Sequence, residues 1–164
     1  MIVAGLDPGK NGALVTLFED GSTSVSRVPL EEIQKPGRKS KSTVPAYREW
    51  ARAWRQQLLF SQPDVIVIEQ VGAWTGQGVT SAFNFGRVLG FAEAILLYVD
   101  APWHRAPPNV WKQRMGISMD KAEAIAEAKR LIPSLAPELT RKKDDGVAEA
   151  GLLAYYGIMT IAAK

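Results

Sequence analysis

The sequence predicts an α/β domain built on a mixed sheet. Its first 28 residues contain three short apolar stretches separated by turn signals, and the rest of the chain alternates strand with helix. The tight turns predict an antiparallel start to the sheet. Residues 65–68 are an unbroken apolar run, which is typical of a strand buried on both faces. With no internal repeat and no linker, we predict a single domain over residues 1–164.

The first three strands are predicted at residues 2–6, 13–18 and 22–28, because apolar runs there are bounded by Pro, Gly, Asn and Asp. Residues 30–44 carry Pro, Gly, Lys and Ser, which predicts a mobile loop. A further short strand is predicted at residues 103–106. Helical spacing of apolar residues and cap or breaker signals predict helices at 45–60, 81–97, 108–115, 120–131 and 144–163, with Ser81 and Asp120 as N-caps.

Composition narrows the function classes. A chain of 164 residues with 46% hydrophobic residues can bury roughly 70% of its unfolded surface, which favours a folded globule. Cysteine is absent and His104 is the single histidine, so neither a thiolate zinc site nor a histidine-rich metal site is expected within one chain. We see no signal peptide and no apolar stretch long enough to span a membrane, so we predict a cytoplasmic protein.

The net charge of +3 is unevenly distributed. Two basic clusters stand out: residues 34–48 contain five cations and no acid, and residues 141–143 are all basic. A polyanionic partner such as DNA would explain both clusters, since Lys and Arg displace counterions from phosphates. A solvated loop and an ordinary charged turn would explain them equally well.

Acidic residues follow two predicted strands and open the last helix. Asp7 and Glu69 each end an apolar run, and Asp144, Asp145 and Glu149 lie at the start of the C-terminal helix. An acid that ends a buried strand is unfavourable unless something compensates its charge. Carboxylates gathered by the fold would suit Mg²⁺ or Mn²⁺, and paired ions can clamp both oxygens of a phosphoryl displacement. We therefore expect a nuclease.

Each acid also has a structural interpretation. Asp7 precedes Pro-Gly and could belong to a β-turn, and Glu69 could be an exposed strand end. Asp144 and Asp145 could complement the helix dipole, but Glu149 lies beyond the first turn. The glycines after Asp7 would let the backbone approach a phosphate closely.

Basic and aromatic residues near these acids are candidate DNA contacts. Trp74 could stack on a base or pack in the interior, and His104 is more typical of a structural histidine. The predicted DNA-binding residues outside any family argument are Lys10, Arg38, Lys39, Lys41, Trp74, Lys142 and Lys143.

The motifs, in their order along the chain, resemble those of the RuvC-like Holliday junction resolvases of the ribonuclease H-like superfamily, particularly phage-type members. Asp7 ends a segment that looks like the family's first strand, and Glu69 lies in one that looks like its fourth strand. Residues 81–90 resemble the start of the dimer helix, and residues 142–150 resemble the closing acidic helix. Lys112 and Lys121 lie near lysines that contact DNA in the family.

The resemblance implies a ribonuclease H-like fold with a mixed five-stranded sheet flanked by helices. It implies a homodimeric crossover junction endodeoxyribonuclease that acts on four-way and other branched DNA in a bacterial cell or a phage-infected host. Two Mg²⁺ ions per active site, replaceable by Mn²⁺, would be held by Asp7, Glu69, Asp145 and Glu149, with Asp144 as a further candidate ligand.

Two features depart from the family pattern. Asp145 and Glu149 are four residues apart where the bacterial enzymes usually have three, so Asp144, Asp145 or both could ligate metal. Gly72 stands where the family has an aromatic wedge, and Trp74 could take that part.

Three other functions fit parts of the pattern. A non-catalytic junction-binding protein would need only the basic surface and the dimer. An RNA–DNA hybrid nuclease or a flap nuclease would share the fold and the acids. The Asp7-x-Gly9-x-x-Gly12 spacing also resembles the phosphate loop of actin-like ATPases, but those need about twice this length.

Overall fold

The computed structural model describes residues 1–34, 37, 40–73 and 75–161, apart from the side chain of Ile161. Its centre is a five-stranded mixed sheet in the order β3-β2-β1-β6-β7. The central strands β1 and β6 are parallel, as are β6 and β7, whereas β2 runs antiparallel to both β1 and β3. The predicted fold class, a mixed five-stranded sheet flanked by helices, is confirmed.

The strands are β1 (Val3–Asp7), β2 (Ala13–Leu17), β3 (Thr23–Arg27), β4 (Leu30–Gln34), β5 (Lys41–Pro45), β6 (Val65–Glu69) and β7 (Trp103–Ala106). The α-helices are α1 (Tyr47–Ser61), α2 (Val79–Leu96), α3 (Pro108–Met115), α4 (Lys121–Leu131) and α5 (Asp145–Ile161). Short 3₁₀ helices at Pro133–Glu138 and Lys142–Asp144 join α4 to α5.

The two faces of the sheet have separate cores, because side chains alternate along a strand. Val3, Val15 and Val67 pack on one face with α5 and the segments around α4. Leu6, Ile66 and Ile68 pack on the other face with Trp50 and Trp54 of α1 and with the end of α2. The sheet is therefore buried on both sides, as the unbroken apolar run at residues 65–68 predicts.

The segment 30–44 corrects the sequence prediction. Its described residues form a second, two-stranded antiparallel sheet, β4–β5, rather than a loop. Only Ile33 and Val44 of the apolar residues in this ribbon are half-buried, and its other described side chains are mostly exposed. A strand whose side chains are mostly exposed to solvent needs no apolar run, so its sequence resembles that of a loop.

Helix α2 also begins earlier than predicted. Gly78 occupies the N-cap position without a side-chain cap, and Ser81 lies inside the first turn. In contrast, Asp120 caps α4 as predicted, because its carboxylate accepts hydrogen bonds from the backbone of Ala122 and Glu123.

Glycine at position 5 brings α5 close to the central strand. A Cβ built there would lie 2.0 Å from the carbonyl oxygen of Ala150 and 2.4 Å from the backbone nitrogen of Ala154. Only a residue without a side chain permits this approach. The contact fixes the second and third turns of α5 against the middle of β1.

Among the described residues, no helix combines the length and the apolar character needed to cross a bilayer.

Candidate metal centre

Two acids meet at one edge of the sheet because β1 and β6 are adjacent and parallel. Their register pairs Leu6 with Ile68, so the next positions bring Asp7 and Glu69 side by side. Both side chains are nearly buried, at 8% and 7% exposure. The carboxyl edge of a parallel sheet is where α/β folds bind their ligands.

Helix α5 adds two more carboxylates at the same edge. Asp145 and Glu149 are four residues apart and lie on one side of its first turns. Gly146 lies between them and against the loop after β1, where a Cβ would come within 2.7 Å of the Asp7 Oδ2 atom. The predicted set of Asp7, Glu69, Asp145 and Glu149 is therefore brought together.

Burial and mutual repulsion act strongly on Asp7. Desolvation, followed by the negative charges of Glu69 and Glu149, raises its pKa to about 8, although the backbone N–H of Gly9 donates a hydrogen bond to Asp7 Oδ1 at 2.8 Å. A carboxyl group this unfavourable as an anion is one that a bound cation would stabilise.

Glu69 is held by a tryptophan. Its Oε1 atom accepts a hydrogen bond from the indole Nε1 of buried Trp111 at 3.1 Å. Burial and the charge of Glu149 raise the pKa of Glu69 to about 6, against the opposing effects of Trp111 and Lys112. Trp111 was not predicted as a site residue, since a tryptophan in a short helix usually signals core packing.

Two lysines neutralise the two acids that α5 contributes. Lys112 Nζ donates to Glu149 Oε1 at 2.5 Å, and Lys121 Nζ donates to Asp145 Oδ2. The ammonium group of Lys112 also lies 5.2 Å from the Trp111 ring centre. Lys112 is buried, whereas the side chain of Lys121 is 70% exposed and accessible to a ligand. The hydrogen bond to Asp145 raises the pKa of Lys121.

Asp144 does not face this cluster. Its carboxylate is bonded to the side chain and backbone of Arg141 and lies 3.4 Å from Arg27. Burial alone would raise the pKa of Asp144, but the hydrogen bonds from Arg141 and the charge of Arg27 hold it below its usual range. The geometry therefore favours Asp145 over Asp144 as the acid that joins Asp7.

The donor set suits a hard divalent cation. Four carboxylates supply only oxygen ligands, which Mg²⁺ and Mn²⁺ prefer. In the described part of the chain, no group of three or more acidic or histidine side chains is already close enough together to hold a metal ion, although the four acids lie at the same edge. Glu149 and Asp145 are instead engaged by lysines, so metal binding would require these two carboxylates to exchange an ammonium partner for an ion.

The predicted DNA contacts fall into three groups. Lys10 and Lys41 are exposed, although Lys10 donates to Thr43 at 2.6 Å and Lys41 pairs with Glu32 at 2.9 Å. Lys121, Lys142 and Lys143 are exposed, and Lys121 pairs with Asp145 at the acidic edge, but Lys112 is buried in its ion pair. Arg38, Lys39 and Trp74 lie outside the described residues. His104 is exposed on β7 and belongs to no described site.

No protein-family model and no curated protein matches this sequence. Solved structures do match it over nearly its whole length. The Thermus thermophilus RuvC structure in complex with a Holliday junction substrate superposes with a TM-score of 0.66 at 16% identity, covering 99% of this chain and 96% of that one.

Two more distant resolvases superpose as well. The fowlpox virus Holliday junction resolvase gives a TM-score of 0.52 at 14% identity, covering 98% of this chain and 99% of that one. The yeast mitochondrial Holliday junction resolvase Ydc2 gives 0.53 at 15% identity, covering 94% of this chain and 76% of that one. The chain therefore has the ribonuclease H-like fold of the RuvC-type Holliday junction resolvases.

Proposed function

We propose that this protein is a divalent-metal-dependent endonuclease that cleaves four-way DNA junctions and other branched DNA. The observation that carries the proposal is the convergence of Asp7, Glu69, Asp145 and Glu149 at one edge of a sheet. The solved structures compared above include junction resolvases and a RuvC bound to a Holliday junction substrate. The acid cluster supports metal-dependent phosphodiester cleavage, and the likeness to junction resolvases supports branched DNA as the substrate.

The four carboxylates would hold the metal ions. Mg²⁺, with Mn²⁺ as a substitute, would activate water and neutralise charge on the phosphate when bound at Asp7, Glu69, Asp145 and Glu149. Trp111 orients Glu69 through its indole hydrogen bond. Lys121, whose side chain is largely exposed, is placed to contact a phosphate that reaches Asp145.

A homodimer would match the two-fold shape of a four-way junction. Helix α2 supports this proposal, because it exposes Val79 at 87% and Phe83 at 66% to solvent. Gly86 and Gly90 are also exposed on this helix, with open space where a Cβ would point. Small residues of this kind let a second helix approach closely. Two copies joined here would carry two acidic clusters for two opposed strands.

The test is cleavage of a labelled immobile four-way junction beside a linear duplex, a Y-fork and an RNA–DNA hybrid. With Mg²⁺ or Mn²⁺, we expect paired nicks in the junction that disappear in EDTA and in Asp7→Asn, while Asp7→Asn still binds the junction. Binding without cleavage in either metal would instead support a non-catalytic junction-binding protein. Cleavage of the hybrid alone would support a ribonuclease H activity.

A further inference from the structure

A cleft lies beside the loop that follows Asp7, and its volume is about 300 Å³. It is bounded by that loop, by the end of β3 and by the 3₁₀ turn that precedes α5. Four cations and one carboxylate provide its charged lining: Lys10, Arg27, Arg141, Lys143 and Asp144. Even with Glu138, a partner of Arg27, counted among the acids, the cleft is positively charged.

Asp144 organises the cations of this cleft. It is 1% exposed, and its Oδ1 atom accepts from Arg141 Nη2 at 2.8 Å, while its Oδ2 atom accepts from the Arg141 backbone at 2.7 Å. Arg27 Nη1 lies 3.4 Å from the same Oδ1 atom. One buried carboxylate thus fixes two guanidinium groups that come from segments more than a hundred residues apart.

The guanidinium groups retain capacity for a ligand. Arg27 and Arg141 side chains are 36% and 53% exposed, and each guanidinium offers five N–H donors in a fixed plane. Bonds to Asp144 and Glu138 use only some of those donors. A guanidinium that is held in place loses less side-chain entropy when it binds a planar or tetrahedral oxyanion.

The cleft and the acidic cluster share their supporting elements. Asp144 and Asp145 are consecutive, and Gly146 packs against Asn11 and Gly12 of the loop that lines the cleft. Lys10, in the same loop, is anchored to Thr43 of β5. A strand that enters the acidic edge would therefore pass directly beside this cleft.

We propose that the cleft is a phosphodiester-binding subsite, which holds a backbone phosphate of the DNA strand adjacent to the phosphate that is cut. Arg27, Arg141, Lys10 and Lys143 bind the phosphate, and Asp144 is the positioning residue for the two arginines. The inference rests on the proposed function only in taking DNA as the substrate. It gives Asp144 a role that needs no metal.

The test measures binding of a fluorescein-labelled four-way junction and a linear duplex, in EDTA, over a series of KCl concentrations. We expect Arg141→Gln and Lys143→Gln each to weaken binding of both DNAs by roughly 3- to 30-fold and to lower the slope of log K against log[KCl] by about 1. Arg130→Gln is the matched control. Arg130 is likewise exposed and pairs three residues away, with Glu127, but it lies on α4 outside the cleft.

Asp144→Asn separates positioning from simple charge. Removing a negative charge beside DNA would by itself tighten binding, whereas loss of the arginine geometry weakens it. We expect weaker binding with a smaller salt slope. Folding of each variant is checked by circular dichroism, and Lys143→Gln, which breaks no described ion pair, keeps the test independent of stability.

The subsite would be overturned if Arg141→Gln and Lys143→Gln both bound DNA with the affinity and salt slope of wild type. Tighter DNA binding by Asp144→Asn would also overturn it. If the wild-type protein bound junction and duplex equally well, this would count against the branch selectivity of the proposed function. The changes in salt slope that the variants show on duplex DNA would still test whether the cleft binds a phosphate. A wild-type protein that binds neither DNA would overturn both.

Discussion

Asp144 and Asp145 are consecutive, nearly buried carboxylates with opposite surroundings. Asp145 faces the acidic cluster and is bonded to Lys121, and its charge adds to the effects that raise the pKa of Asp7. Asp144 faces Arg27 and Arg141, and its pKa is held below the ordinary range. Because the two residues are consecutive at the start of α5, their side chains point in different directions. Asp145 lies among other anions, and Asp144 lies between two cations.

The comparison shows that burial alone does not decide what an acid can do, because burial disfavours the anion at both Asp7 and Asp144, and only Asp144 has cations beside it that reverse the effect. An anion whose charge is already compensated by two arginines gains little from a metal ion. Acids that repel one another gain a great deal. The cluster around Asp7 is therefore suited to bind divalent cations, whereas Asp144 is suited to hold the side chains of Arg27 and Arg141 in position.

The largest expected difference is in cleavage. Asp145→Asn removes a proposed metal ligand, so we expect junction cleavage in Mg²⁺ to fall on the order of 10³-fold. At DNA concentrations that saturate each variant, Asp144→Asn should cleave within about tenfold of wild type. Single-turnover rates measure both. Equal losses in the two variants would contradict the division of roles.

Stability should change in opposite directions. Asp144→Ala removes the acceptor of the hydrogen bonds from the Arg141 side chain and backbone, and we expect it to destabilise the fold by about 1–3 kcal/mol. Asp7→Asn in EDTA at pH 8 should stabilise the protein by about 1–3 kcal/mol, because it removes a charge that burial and repulsion disfavour. Urea unfolding monitored by circular dichroism gives both values. Destabilisation by Asp7→Asn would show that the acids do not strain the fold.

A smaller effect is expected in the pH dependence. The pKa of Asp7 rises from 3.8 to about 8 and that of Glu69 from 4.5 to about 6. The folded state therefore binds more protons than the unfolded chain between about pH 4 and 8, so its stability in EDTA declines as pH rises through that window. Asp144, with its lowered pKa, acts in the other direction and loses its contribution in acid.

Thermal melts in EDTA from pH 4 to 9 check this balance. We expect the melting temperature to decline on the alkaline side in wild type and to decline less in Asp7→Asn. Addition of Mg²⁺ at pH 8 should raise it in wild type, since ligand binding to the folded state is stabilising. A wild-type curve that rises steadily to pH 9 in EDTA would contradict the raised pKa values.

The sequence predicted the sheet and the acid cluster because both depend on local signals. The amino-acid sequence itself shows the apolar runs that end in Asp7 and Glu69. It also shows the four-residue spacing of Asp145 and Glu149. The β4–β5 ribbon was missed because its exposed strands carry almost no apolar pattern. The choice between Asp144 and Asp145 depends on which way each carboxylate faces: Asp144 bonds to Arg141 and lies near Arg27, more than a hundred residues away, and the sequence does not reveal that arrangement.

Burial also changed the interpretation of individual residues. Lys112 was expected to contact DNA, but it lies in the interior with Glu149, where its charge compensates the acidic cluster. Trp111 carries no polar signal in the sequence, and only the fold shows that its indole N–H reaches Glu69. Such pairings arise from the packing of α3 against α5.

The most direct test is Mn²⁺ binding, measured by isothermal titration calorimetry at pH 7.5 on wild type, Asp144→Asn and Asp145→Asn. We expect saturable Mn²⁺ binding in wild type and in Asp144→Asn, and at least tenfold weaker binding in Asp145→Asn. Wild-type binding by Asp145→Asn, together with its loss in Asp144→Asn, would contradict the assignment of the metal centre to the Asp7 cluster.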